Sequence, residues 1–380
     1  MRELLLAAFL CAFTVSPLVI HAEEEEPIKT ETPVVTKFVG ERDARGTVHY
    51  QKHADADAGM AIPYRLHGSL PSNWDEFDNY YYSFDDILED SLVLDPASVK
   101  VEQITSGGAV KKVLTEEAEI THEETGNSLH VTFPDLKQTI DANPTTDFIR
   151  VSYEASLHPE RMTHGRADSN DNVVSLEYTV KGIQPASFHR KIQPATRTEK
   201  SVEDLVKVYT WKLRVQKEDM DTRKALQNVE FTLKDSEGQY VLSNGTRSDQ
   251  VQAYKTSADG LLEFPGLDAD VYILEEKKAA DGYQLLEKPV EIEIKSNLKE
   301  DYTLEESVKL ESVQDNEKEA KITLTDEQKG VLELSILNRK TQDPSRPSKV
   351  PTGLIQSGSM WLGLLLASGS GVWLVSRKRK

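Results

Sequence analysis

The sequence predicts an all-β protein built as two tandem β-sandwich domains. Three observations point there. Short runs alternate apolar and polar residues, the signature of strands with one buried face. Turn-forming residues separate the runs, as at Ser69–Asn73 and Asp141–Pro144. A chain of 380 residues is too long for one small domain and has room for two real cores.

In chain order, the first domain is expected over residues 33–181. It has strands at Ile62–Leu66, Tyr80–Phe84, Ser98–Gln103, His130–Phe133, Phe148–Ala155 and Val173–Val180. A connector bearing proline and lysine follows at 182–202. The second domain, 203–342, has strands at Val208–Lys217, Val229–Leu233, Gly260–Phe264, Val271–Glu276, Val290–Ile294 and Val331–Leu337. The charged stretch from Ser296 to Asp326 reads as a long loop with a helical or strand excursion.

The termini read as addresses. Residues 1–22 carry Arg2, an apolar run from Leu4 to Ile20, and Ala22 at a cleavage site: a secretory signal. An acidic tail, 23–32, follows. At the other end, residues 343–353 form a linker, 354–375 a hydrophobic segment of membrane-spanning character, and 376–380 a basic tail. The basic tail is the cytoplasmic stop of the positive-inside rule.

Composition narrows the function. The net charge is −19, which argues against a nucleic-acid partner. Without both ends the charge becomes −23, because Arg2 and Glu3 cancel while the tail holds four cations. The single cysteine, Cys11, lies in the first apolar run, so disulfides and cysteine zinc sites are excluded from the mature chain. His49 and His53, near Asp55 and Asp57, imitate a metal site but are read as solvated loop residues. No metal, no cofactor and no catalytic set for an external substrate is expected.

Strand parity picks out polar residues on apolar faces. Lys217 continues the face of Trp211, Leu213 and Val215. Glu276 continues that of Tyr272 and Leu274, and Asn338 that of Leu334 and Ile336. In the first domain Lys37 lies with Val35 and Val39, Asp86 with Tyr82 and Phe84, and Asn172 with Val174 and Leu176. Buried alone, each would be costly.

Val208–Lys217, Leu226–Leu233, Phe264–Asp268 and Tyr272–Tyr283 resemble the CnaB-type pilin domain, with signatures K…LxGAxFxL, FxGLxxGxYxLxE and ExxAPxGY. Ala280 and Asp270 depart from the usual proline and glycine. Pro33–Lys37, Ala54–Gly59, Gly68–Pro71, Tyr80–Asp86 and Asn172–Tyr178 resemble the fimbrial isopeptide-formation domain that precedes such modules. Val350, Pro351, Thr352 and Gly353, followed by the apolar run and basic tail, resemble a cell-wall sorting signal of the V-P-T-G kind.

These resemblances imply immunoglobulin-like (Cna-type) sandwiches in a Gram-positive pilus subunit on the cell surface. They imply spontaneous Lys–Asn isopeptide bonds, Lys217 to Asn338 and Lys37 to Asn172, with Glu276 and Asp86 as proton shuttles. Lys52 competes as the first-domain amine, Asp85 as its acid, and Glu275 is the poorer choice beside Glu276. A class C sortase would cleave between Thr352 and Gly353 and join Thr352 to a lysine of a neighbouring subunit. The housekeeping sortase and peptidoglycan are further partners. The accepting lysine stays open between Lys29, Lys181 and Lys191, because the chain lacks a V-Y-P-K-N-like motif. The shaft pilin is the first reading; a minor pilin, or a single wall-anchored adhesin binding a host ligand, is the second.

Overall fold

The computed structural model describes residues 32–43, 45–124, 127–165, 169–181, 197–295, 320–326 and 329–341. The signal segment, the sorting motif at Val350–Gly353, Lys29, Lys191 and the apolar segment 354–375 lie outside the described residues. Among the described residues no helix is long and apolar enough to cross a membrane.

The chain is all-β, in two sandwiches. The first begins with β1 (Val35–Arg42), β2 (Val48–Gln51), β3 (His53–Asp55), β4 (Ala61–Ser69) and β5 (Tyr82–Leu88). It continues with β6 (Leu92–Thr105), β7 (Val110–Val113), β8 (Glu119–His122) and β9 (Ser128–Phe133). After one helical turn at Leu136–Thr139 come β10 (Asp147–Leu157), β11 (Asn170–Val180), β12 (Arg197–Lys200) and β13 (Asp204–Tyr209). One sheet runs β2-β1-β4-β10-β6-β7 and the facing sheet β3-β13-β11-β5-β9-β8, with β12 also on β11. Residues of β10 alternate without a break between buried and half-buried, which is the pleat placing every second side chain in the core.

The second sandwich contains β14 (Trp211–Asp219), β15 (Glu230–Lys234), β16 (Tyr240–Val241), β17 (Arg247–Ser248) and β18 (Tyr254–Lys255). It is completed by β19 (Leu261–Leu267), β20 (Val271–Lys278), β21 (Val290–Glu293), β22 (Ala320–Asp326) and β23 (Val331–Asn338). One sheet runs β19-β14-β23-β22, with β14 and β23 parallel. The other runs β17-β16-β15-β20-β21, with β18 on β15. The charged stretch before β23 thus contributes a strand, β22.

Three expectations change. The domain boundary expected at residue 203 lies at Thr210, because β12 and β13 fold back onto β11 of the first sandwich. Val206 and Val208 enter the first core, whereas Trp211, Leu213 and Val215 enter the second. The buried parity therefore switches from even to odd at the boundary, and the single run expected over Val208–Lys217 is two strands. His49 and His53 lie on strands rather than a solvated loop. His49 bonds Asp43 at 3.1 Å, and His53 is buried.

The two sandwiches meet at a polar joint. Gly165 N donates to the Thr210 carbonyl at 3.0 Å, and Ala58 N to that of Gly266 at 3.1 Å. Asp57 Oδ1 accepts from Asp268 N at 2.8 Å, and Asp57 forms an ion pair with Arg247. Gly330, with φ of 61°, lies so close to Gly165 that a Cβ there would stand 2.2 Å from its nitrogen. A side chain is excluded both by the left-handed backbone and by the contact.

Candidate functional site

Each sandwich encloses a lysine that solvent does not reach. Lys37 and Lys217 are both 0% exposed. An ammonium so placed is costly unless its charge and donors are met.

In the first domain β1 delivers Lys37 from one sheet, while the adjacent strands β5 and β11 deliver Asp86 and Asn172 from the other. The register sets Asp86 opposite Val174, one pleat from Asn172 on the same face. Lys37 Nζ donates to Asp86 Oδ1, to Asn172 Oδ1 at 2.5 Å and to the Tyr153 hydroxyl at 3.3 Å. Burial pulls the lysine down from 10.5 to about 8, opposed by the carboxylates of Asp86 and Asp204. The neutral amine, the only nucleophilic form, is therefore within reach near neutral pH.

Tyr153, from β10, was absent from the sequence-derived set. Its hydroxyl donates to Asp86 Oδ2 at 2.6 Å and accepts from Asn172 Nδ2 at 2.8 Å. Its ring stacks on Tyr64 at 5.1 Å with planes 9° apart. Lys37 Nζ lies 5.8 and 5.9 Å from the two ring centroids, within cation–π range. The only sequence signal was parity: Tyr153 shares the apolar face of Val151 and Ala155, as many packing tyrosines do.

In the second domain Lys217 and Asn338 sit on neighbouring parallel strands of one sheet, with Lys217 opposite Ile336. Lys217 Nζ donates to the Ile336 carbonyl at 3.3 Å. Glu276 comes from the facing sheet on β20 and accepts from Asn338 Nδ2 at 2.6 Å. Its other oxygen accepts from Leu286 N at 3.3 Å. Asn338 Oδ1 is buried without a hydrogen-bond partner among the described residues, leaving the amide oxygen open to a donor.

The competing residues are engaged elsewhere. Lys52, partly exposed, binds Asp204 and the Lys37 carbonyl. Asp85 pairs with His130 at 3.1 Å and Lys200 at 2.8 Å. Glu275 pairs with Lys277 at 2.5 Å. Lys181 is on the surface, bound to Glu76 at 2.5 Å.

An amine, a carboxamide and an acid enclosed together can exchange an amide. The amine adds to the side-chain carbonyl, the acid moves protons, and ammonia leaves. Fold and site together define a tandem β-sandwich protein with such a set in each sandwich.

Comparison with known proteins adds to this. Residues 211–307 match the family model described as the SpaA prealbumin-like fold domain. No curated protein matches the chain. Among solved structures, the group B streptococcus pilus 2b backbone protein is similar at 19% identity, covering 80% of this chain and 97% of its own, with a TM-score of 0.53. The T6 backbone pilin of serotype M6 Streptococcus pyogenes is similar at 17%, covering 81% and 70%, with a TM-score of 0.54. The full-length major pilin RrgB from Streptococcus pneumoniae is similar at 13%, covering 81% and 74%, with a TM-score of 0.51. At these identities the likeness is one of fold.

Proposed function

We propose that the chain is a structural subunit, the shaft pilin, of a covalently polymerised pilus on a Gram-positive cell surface. Each sandwich is closed by a self-generated isopeptide bond, Lys37 to Asn172 and Lys217 to Asn338. A class C sortase joins Thr352 to a lysine of the next subunit. The observation that carries this reading is the pair of wholly buried lysines, each enclosed with an asparagine and a carboxyl group. The fold likeness to backbone pilins supports it.

In each domain the neutral lysine adds to Cγ of the asparagine. The new C–Nζ bond replaces the C–Nδ2 bond, and the one proton shed by Nζ passes to the departing nitrogen. Asp86 and Glu276 carry that traffic. Each bond removes one ammonia, about 17 Da. Intact mass of the mature chain, Glu23 to Thr352, should lie about 34 Da below the sequence value, and Glu276→Ala should restore one increment. A full-mass wild-type chain sinks the cross-link reading.

The missing V-Y-P-K-N-like motif favours a second reading, a minor pilin or a single wall-anchored adhesin. Blotting of surface extracts separates the two. A ladder of high-mass species that collapses in a sortase mutant supports the shaft, and one monomer-sized band rejects it.

A further inference from the structure

We infer that Tyr153 is a catalytic member of the first-domain site, relaying the proton from Asp86 to the departing nitrogen of Asn172. The inference rests on the cross-link reading above and adds a residue to it.

The geometry sets the two domains apart. In the second, Glu276 touches the leaving nitrogen of Asn338 directly, at 2.6 Å. In the first, the Asp86 carboxyl bonds Lys37 through Oδ1 and Tyr153 through Oδ2. The atom bonded to the leaving nitrogen of Asn172 is the Tyr153 oxygen, at 2.8 Å. The route from the acid to Nδ2 therefore runs through a phenol, over two short hydrogen bonds. Tyr153 is 2% exposed, so the relay is screened from bulk water. Stacking on Tyr64 holds the ring in place, and the third contact, Lys37 Nζ at 3.3 Å, sets the hydroxyl beside the attacking amine as well.

The steps balance. Lys37 attacks Cγ of Asn172 as the neutral amine, and as the C–Nζ bond forms Asp86 takes one of the two Nζ protons through Oδ1. The acid proton of Asp86 then passes to the Tyr153 oxygen while Tyr153, turning its hydroxyl from Asp86 Oδ2 toward Asn172, donates its own proton to Nδ2. The C–Nδ2 bond breaks and Asp86 returns to the carboxylate. Nζ arrives with two protons and keeps one in the new amide. The other leaves on Nδ2, as ammonia. Tyr153 ends with the hydroxyl it began with.

The test refolds never-folded mature chain from denaturant, following the combined fluorescence of Trp74 and Trp211 for folding and intact mass with cross-linked peptides for chemistry. Tyr153→Phe keeps the ring and removes the relay. It should fold at the wild-type rate and form the Lys217–Asn338 peptide normally, while the Lys37–Asn172 peptide appears about 10²-fold more slowly. A wild-type rate for that peptide in Tyr153→Phe overturns the relay and leaves the cross-link reading standing. A wild-type chain that never yields the Lys37–Asn172 peptide overturns the reading itself. Should Tyr153→Phe fail to fold, fluorinated tyrosines at position 153 retain both ring and hydroxyl. The first-domain rate must then change with phenol acidity, and a rate constant across that series rejects the relay.

Discussion

Lys37 Nζ lies 2.5 Å from Asn172 Oδ1, although 135 residues separate them and their strands belong to opposite sheets. The contact thus bridges the two layers of the sandwich. In the second domain the corresponding lysine and asparagine lie on neighbouring strands of one sheet. A bond across the layers and a bond within a layer have different consequences.

The first consequence is mechanical. Asn172 is not on the last strand of its domain, since β12 and β13 follow. Tension applied across the chain would pass from Lys37 through the bond to Asn172, then along Val173 to Tyr209 before reaching the second sandwich. Of those 37 residues, the described ones are held by strand pairing and core packing, with no covalent bridge proposed among them. Single-molecule stretching should release roughly 125 Å from the first domain, at about 3.4 Å per residue. Asn172→Ala should release about 600 Å, because residues from Val35 onward then unravel. Equal extensions for the two chains would reject the bond.

Stability in the second domain should depend on its own bond. Joining Lys217 to Asn338 closes a loop of about 120 residues, worth about 5 kcal/mol on the chain-entropy account. Asn338→Ala should lower that domain's melting temperature by roughly 15–25 °C, measured by calorimetry. A change below about 5 °C would contradict the prediction.

Cross-linking in the first domain should depend on pH through Lys37. Burial lowers this amine to about 8, so its neutral fraction rises with pH and levels off above that value. In refolding of never-folded chain, the Lys37–Asn172 peptide should form about tenfold faster at pH 7 than at pH 6. Timed mass spectrometry reads the rate, and a profile flat from pH 6 to 8 would remove the lysine from control of it.

The joint between the sandwiches should weaken as acid is neutralised. Burial raises Asp57 from 3.8 to about 6 in the folded chain, beside Arg247, Asp235 and Asp270. Asp268 is raised in the same direction, by burial and by its acidic neighbours. Between pH 4 and 6 the folded chain holds a proton that the unfolded chain has released. The stability linked to Asp57 is therefore present below about pH 4 and is lost as pH rises through about 6. His164, also at the joint, is lowered by burial to about 4 and acts in the opposite sense, so the comparison must isolate Asp57. The melting temperature of wild type relative to Asp57→Asn should fall between pH 4 and 6. A difference independent of pH would remove Asp57 from the effect.

Much of the sandwich was legible because strand side chains alternate. Trp211, Leu213, Val215 and Lys217 are buried in turn along β14, as their spacing implies. The same parity drew attention to Lys37, Asp86, Asn172, Glu276 and Asn338, since a charge or amide on an apolar face is conspicuous. Tyr153 gave no such warning. A tyrosine on an apolar face is ordinary packing until the partners of its hydroxyl are known.

The domain boundary was half legible. Val208 is out of phase with Trp211, a break visible in the sequence but absorbed into one long apolar run. Strand pairing resolves it, because only there does β13 return to β11.

From the sequence alone came the all-β class, the tandem domains and the two buried lysines with their polar companions. These follow from period-two patterning, a property of neighbouring residues. The tertiary structure decided that Asp86 meets Asn172 through Tyr153, that β12 and β13 belong to the first sandwich, and that Asp57 meets Asp268 across the joint. Each of these joins residues distant in the chain, Asp57 and Asp268 being 211 positions apart. Such contacts are set by how sheets pack, and no local spacing encodes them.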